Sequence, residues 1–214
     1  MSAKNVAPRF TTEVLDWSAW IAPLDLERAD ADQLAVLEES GPHAKASQYY
    51  RLLLRDAPAL RQRSALYNAI MYGATGLRRA DRELGAAIES IFNGCVYCTS
   101  VHARSYLQFA KRPEIVEALF AHGVEAALPP RETAIAEFVV ALARSPPQAE
   151  ARHLAALREA GLSEAETFDL LNAVGDIRLG QPVDAIAGRA QNRLRTIAEC
   201  PNPNPPPRPK RSAF

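Results

Sequence analysis

The sequence predicts an all-α fold, and three observations carry that reading. Apolar residues recur at spacings of three and four along most of the chain. Prolines and glycines fall mainly where those periodic stretches begin and end. No segment alternates as a half-buried strand would.

Taken in order, 31–39 and 47–55 are short helical stretches, and Pro58 opens a helix that runs to about Tyr72. Leu84, Ile88, Ile91 and Phe92 define a helix from Ala80 to Phe92, at a small cost from Gly85. Asn93-Gly94 breaks it, and a new helix starts at Cys95 and carries Val101, Tyr106, Leu107 and Phe109 before Pro113. Pro113 sits in the first turn of the next helix, which ends at His122-Gly123. There the imidazole complements the helix dipole and glycine supplies the cap. Ile135, Phe138, Val139 and Leu142 form one stripe after Pro129-Pro130, and Ser145-Pro146-Pro147 stops it. Ser163-x-x-Glu166 reads as a capping box ahead of Phe168, Leu170, Leu171 and Val174. A last helix is expected from Val183 to Glu199. Residues 201–214, with six prolines in the first nine, lack both helix-forming and core-forming residues and read as a disordered tail.

Composition bounds the function. The 214 residues are 48% hydrophobic, enough for one sizeable core or two closely packed helical halves. Lys plus Arg and Asp plus Glu both number 25, so no net field draws the chain to nucleic acid or an anionic membrane. Only Arg208, Lys210 and Arg211 form a basic cluster. No apolar run reaches the roughly 18 residues of a membrane span, and residues 1–8 lack the apolar region of a signal peptide. A soluble, cytoplasmic protein is expected.

The stretch Cys95-Val96-Tyr97-Cys98-Thr99-Ser100-Val101-His102 concentrates the chemistry. At helical pitch Cys95, Cys98 and His102 fall within about 60° of arc, so two thiols and an imidazole share one stripe. The positive end of the helix dipole favours a thiolate there, and a second thiol nearby can capture a sulfenic acid before it over-oxidises.

These residues also resemble a family. Arg82-Glu83-Leu84 followed by Asn93-Gly94-Cys95-x-x-Cys98-x-x-x-His102 is similar to the core motif of the carboxymuconolactone decarboxylase and alkylhydroperoxidase D-like superfamily. There a glutamate stands twelve residues before the first cysteine, as Glu83 does here. The likeness spans residues 45 to 175, and Phe10-Thr11, Trp17 and Trp20 look like the variant with an extra N-terminal segment.

The resemblance implies a helical bundle of the alkylhydroperoxidase D-like type: an N-terminal extension over 1–44 packed on a domain over 45–200, followed by the 201–214 tail. It implies a peroxidase in which Cys98 attacks the peroxide, Cys95 resolves the sulfenic acid as a disulfide, and Glu83 and His102 relay protons. It further implies a peroxide substrate, a dithiol reductant such as a dihydrolipoyl protein, no cofactor, and a homo-oligomer, trimer or hexamer. Two departures stand out. Tyr97 occupies a position where some members carry histidine, and the apolar late helix is replaced by Gly175-Asp176-Ile177-Arg178-Leu179-Gly180-Gln181-Pro182.

Geometry sets a condition on Glu83. Along one straight helix it would lie about 18 Å from Cys95 and about 120° off the stripe, so the Asn93-Gly94 break must fold the chain back. Other readings remain. A structural zinc site has only Cys95, Cys98 and His102 to offer, short of the usual four ligands. Thr99 stands where a haem-attachment motif needs histidine, and a thioredoxin-like dithiol needs a preceding strand. The cysteines could also be core residues of a non-catalytic module. A lactone decarboxylase on the same fold would need an acid–base pair but no dithiol. Of the remaining residues, Trp17 and Trp20 are expected in a core groove, His43 and His153 at the surface, and Cys200 as an incidental thiol.

Overall fold

A computed structural model describes residues 10–191, with the side chains of 16, 17 and 181–191 outside that description. The elements run β1 (Asp16–Ala19), α1 (Ala31–Ser40), α2 (Gln48–Leu53), α3 (Ala57–Tyr72), α4 (Arg79–Phe92), α5 (Val96–Ala110), α6 (Pro113–His122), α7 (Pro130–Ala143), α8 (Ala151–Glu159), α9 (Glu164–Ala187) and β2 (Gly188–Gln191). The fold is helical throughout its core. The Pro-rich tail, Cys200 and the later half of the helix expected over Val183–Glu199 lie outside the described residues.

Most helix boundaries follow from capping chemistry. Asp30 and Gln33 form a reciprocal capping box on α1, and Asp56 accepts from the Ala59 N–H with Pro58 in the first turn of α3. Ser163 and Glu166 close the predicted box before α9, with Oγ accepting from Glu166 N–H at 3.2 Å and Oε2 accepting from Ser163 N–H at 2.8 Å. His122 ends α6, and Gly123 follows at φ 63°.

α4 forms the centre of the molecule. Leu84, Ile88 and Ile91 pack against Ile135, Phe138 and Val139 of α7 and Leu170 and Val174 of α9, with Ala103 and Tyr106 of α5 completing one buried cluster. Burying an aliphatic or aromatic side chain of this size contributes about 1.5–3 kcal/mol, so this cluster supplies most of the driving force. Gly85 is in α4 because α9 passes too close for a side chain: a Cβ there would sit 2.7 Å from Leu170 Cδ1. A smaller cluster, Val36, Leu37, Leu54 and Leu60, ties α1 to α3.

Four expectations are corrected. A short antiparallel ladder exists, pairing Asp16 with Gln191 through Ala19 with Gly188. DWSA and GRAQ each alternate in polarity, but over only four residues, too short a run for the pattern to announce a strand. α9 continues unbroken through Gly175–Pro182 to Ala187, replacing the separate helix from Val183. Trp20 is 62% exposed rather than in a core groove, and the Trp17 side chain lies outside the described residues. His153 is buried, not at the surface, because its Nδ1 accepts from the Glu150 N–H and closes the first turn of α8. His43 is exposed, as expected.

Candidate active site

The α4–α5 hairpin builds the site, and its turn follows from two residues. Asn93 caps α4, and Gly94 adopts φ 72°, a left-handed conformation that costs glycine nothing. The Gly94 N–H then donates to Ile91 O at 3.1 Å and the Cys95 N–H to Ser90 O at 2.9 Å, a Schellman closure of α4. Cys95 thus finishes one helix and starts the next. Its backbone is extended, and its Sγ accepts the Cys98 N–H at 3.4 Å as the N-cap of α5. The predicted stripe is therefore modified: Cys98 and His102 are helical, while Cys95 flanks the helix.

The fold-back brings Glu83 to His102. Oε2 of Glu83 lies 2.7 Å from His102 Nδ1, with Glu83 1% and His102 5% exposed. A carboxylate at Nδ1 holds the proton on that nitrogen, so the neutral ring presents Nε2 as a base. Nineteen residues separate the partners in sequence. The helix reversal supplies what a straight helix could not.

Arg79 completes the pair and was not anticipated. Its Nε donates to Glu83 Oε1 at 2.7 Å, and its guanidinium lies 4.1 Å from the Tyr72 ring centroid and 5.1 Å from that of Phe109. The signal was available, since an arginine four residues before a glutamate on one helix face is a standard pair. Burial raises the Glu83 pKa, but the hydrogen bonds and charges of His102 and Arg79 outweigh it. The carboxyl is held below its ordinary value of 4.5.

Cys98 is buried at 8% exposure, one helical turn before His102, while Cys95 is more open. Tyr97, between them, packs against the cluster of Tyr49 and Leu52. Further out, Tyr67 of α3 is near enough to Glu83 and Arg79 to feel their charges, and burial raises its phenol pKa well above the ordinary value. Arg63 of α3 and Asp176 of α9 face the same region, and no local sequence signal pointed to either. Among the described residues no cluster of three or more His, Cys, Asp and Glu could hold a metal ion.

Residues 57–139 match the Carboxymuconolactone decarboxylase family. No curated protein matches the chain. Among solved structures it is similar to an alkylhydroperoxidase AhpD core, an uncharacterized peroxidase-related protein from Ralstonia eutropha, at 19% identity. That match covers 86% of this chain and 91% of the other, with TM-score 0.65. A peroxidase-related protein from Silicibacter sp. matches at 24% identity over 79% of this chain and 92% of its own, TM-score 0.61. The debrominase Bmp8 matches at 17% identity over 79% and 90%, TM-score 0.63, and a second structure of it holds 2,3,4-tribromopyrrole. At these identities the structures share the fold.

Proposed function

Because residues 57–139 carry the carboxymuconolactone decarboxylase family domain, we propose that this chain is a thiol peroxidase working through the Cys95-x-x-Cys98 dithiol. The observation that supports it most is the buried Glu83–His102 pair, brought to the cysteine helix by the hairpin turn. In this reading His102, oriented by Glu83, takes the Cys98 proton. The thiolate attacks the outer peroxide oxygen, the O–O bond breaks, and the leaving alkoxide or hydroxide receives the proton back from the imidazolium. Cys98 is left as a sulfenic acid. The Cys95 thiol then attacks the Cys98 sulfur, water departs, and a disulfide forms. An external dithiol, oxidised in turn, restores both thiols by exchange.

Hydrogen or organic peroxides are the substrate class, a dihydrolipoyl protein the candidate reductant, and a cytoplasmic homo-oligomer, trimer or hexamer, the working form. Light scattering on the eluting protein tests the last of these. Peroxide consumption with dithiothreitol as reductant tests the reaction. The wild type is expected to turn over and Cys98→Ser to be inactive; equal consumption by both would end the peroxidase reading.

The lactone decarboxylase reading keeps one specific support, that the Glu83–His102–Arg79 system is complete without either thiol. It predicts proton transfer on a lactone substrate that survives replacement of both cysteines.

A further inference from the structure

One face of α9 is both exposed and apolar. At helical pitch Phe168, Leu171, Gly175 and Leu179 fall within about 80° of arc, and all four are exposed, Phe168 at 62%, Leu171 at 40% and Leu179 at 69%. The other face of the same helix carries Leu170, Ala173, Val174 and Ile177 into the core. A surface helix is expected to turn polar residues outward, and one that is apolar on both sides is normally enclosed. Leu154 of α8, also exposed, widens the patch. Contiguous apolar surface of this kind marks an interaction site.

The patch has a hole at one end and a knob at the other. The hole is a groove of about 540 Å³ walled by Phe138 and Leu142 of α7, Leu154 of α8, and Phe168 and Leu171 of α9. The knob is Leu179, the most exposed side chain of the stripe. Gly175 lies midway, four residues from Leu171 and four from Leu179, so each leucine is about 6 Å from it along the helix axis. A Cβ at Gly175 would meet nothing within 4 Å, so nothing within this chain requires glycine there. Bare backbone at the middle of an exposed stripe lets a second helix approach closely, since the side chains at a crossing set the distance between helix axes.

We propose that α9 packs antiparallel against α9 of a second copy of this chain, about a two-fold axis at Gly175. Positions equally far on either side of 175 then oppose each other. Leu179 of each copy faces Leu171 of the other and enters the groove beside it, the same contact made twice. This self-complementarity selects a second copy over an unrelated partner. The charges allow it as well: Arg178 falls opposite Asn172 and Glu164 opposite Ile186, so no like charges meet. The contact gives a dimer, or a hexamer where a separate three-fold contact joins three such pairs, and it cannot by itself close a ring of three. It rests on the homo-oligomer reading above and is independent of the peroxidase reading.

Light scattering and sedimentation of the full chain test the interface. The wild type is expected at the mass of a dimer or a hexamer. Leu171→Lys and Leu179→Glu are each expected to halve that mass and to weaken association at least tenfold. The double variant is expected to regain at least tenfold over either single one, because the lysine of each copy then faces the glutamate of the other. Gly175→Gln is also expected to halve the mass while circular dichroism stays as helical as the wild type, since glutamine favours a helix and the space in a single copy is open. A monomeric wild type would end the homo-oligomer reading and the interface together. A wild-type trimer, or an oligomer whose mass survives Gly175→Gln and both single charges, overturns the α9 interface and leaves the homo-oligomer reading standing. A double variant no tighter than the single ones overturns the two-fold register at Gly175.

Discussion

The α4–α5 hairpin and the α3–α9 seam meet at His102, yet they are built on opposite principles. In the hairpin every contact is local: Arg79, Glu83, Ser90, Gly94, Cys95, Cys98 and His102 are joined within one helix or across one turn. In the seam, Arg63 and Asp176 are more than a hundred residues apart and come near each other only because the core packs α3 against α9, with Met71, Ala86, Ala173 and Ile177 in one cluster. In the hairpin the Arg79–Glu83–His102 chain is hydrogen-bonded at each link and holds the Glu83 carboxyl below its ordinary value, while Arg82 Nε, Glu89 Oε2 and Thr99 Oγ1 of the same two helices are buried without a partner among the described residues. In the seam, Asp176 Oδ2 is buried without a partner among the described residues, and Arg63 donates to the Tyr49 hydroxyl at 3.3 Å. A hydrogen-bonded chain of charged groups fixes geometry for chemistry, whereas a buried acid short of partners is pushed toward its neutral form.

The largest effect expected within the hairpin is on the order of the two reactions. Cys95→Ser is expected to consume one equivalent of peroxide and stall with a sulfenic acid on Cys98 that dimedone traps. The exposure of Cys95 and its place as N-cap also permit the reverse order. A dimedone adduct on Cys95 in Cys98→Ser, with none on Cys98 in Cys95→Ser, would assign the roles that way.

Next come the relay residues. Glu83→Gln and His102→Gln are each expected to slow peroxide reduction by about 10²–10⁴-fold, the usual contribution of a placed proton carrier. Thermal melts control for unfolding, and iodoacetamide alkylation of Cys98 against pH reports whether the relay activates the thiolate. Near-wild-type turnover in both variants would reduce the hairpin to a dithiol on a helix.

This hairpin was legible because its information is sequential. Spacing of three and four, a break at Asn93-Gly94 and a glutamate twelve residues upstream suffice to require the fold-back that the Schellman turn provides. Arg79 was legible in principle by the same rule. The seam was not, since nothing in the sequence around Arg63 or Asp176 says that α3 and α9 face one another. The same limit explains β1 and β2, whose pairing joins the two ends of the described chain. Trp20 and His153 fail for a different reason: burial was inferred from residue type, while a loop position exposes the first and a capping bond buries the second.

A smaller effect concerns pH. Glu83 is held below its ordinary value of 4.5 in the folded protein, so it contributes stability that is present above that value and is lost as pH falls below it through the lowered folded value. Arg79→Met removes one of the two groups that hold it there. That variant is expected to be less stable at neutral pH and to lose less stability on acidification, as read by urea denaturation at stepped pH. An acid sensitivity equal to wild type would show that His102 alone sets the Glu83 carboxyl.

The smallest effect is on the turn. Gly94→Ala places a Cβ at φ 72°, a conformation that costs an ordinary residue about 1–2 kcal/mol. Urea denaturation is expected to show a loss of that size, with a further drop in turnover because the turn sets where Cys95 stands. Full activity would mean that the cysteines tolerate a looser hairpin than their hydrogen bonds suggest.

The most direct test of the hairpin as a dithiol centre is disulfide mapping after sub-stoichiometric hydrogen peroxide. The intact protein is weighed, alkylated and digested. The account predicts the loss of two hydrogens, a Cys95–Cys98 disulfide, and Cys200 still open to alkylation. Cys95 and Cys98 both alkylated after peroxide has been consumed, or a linkage to Cys200, would contradict it.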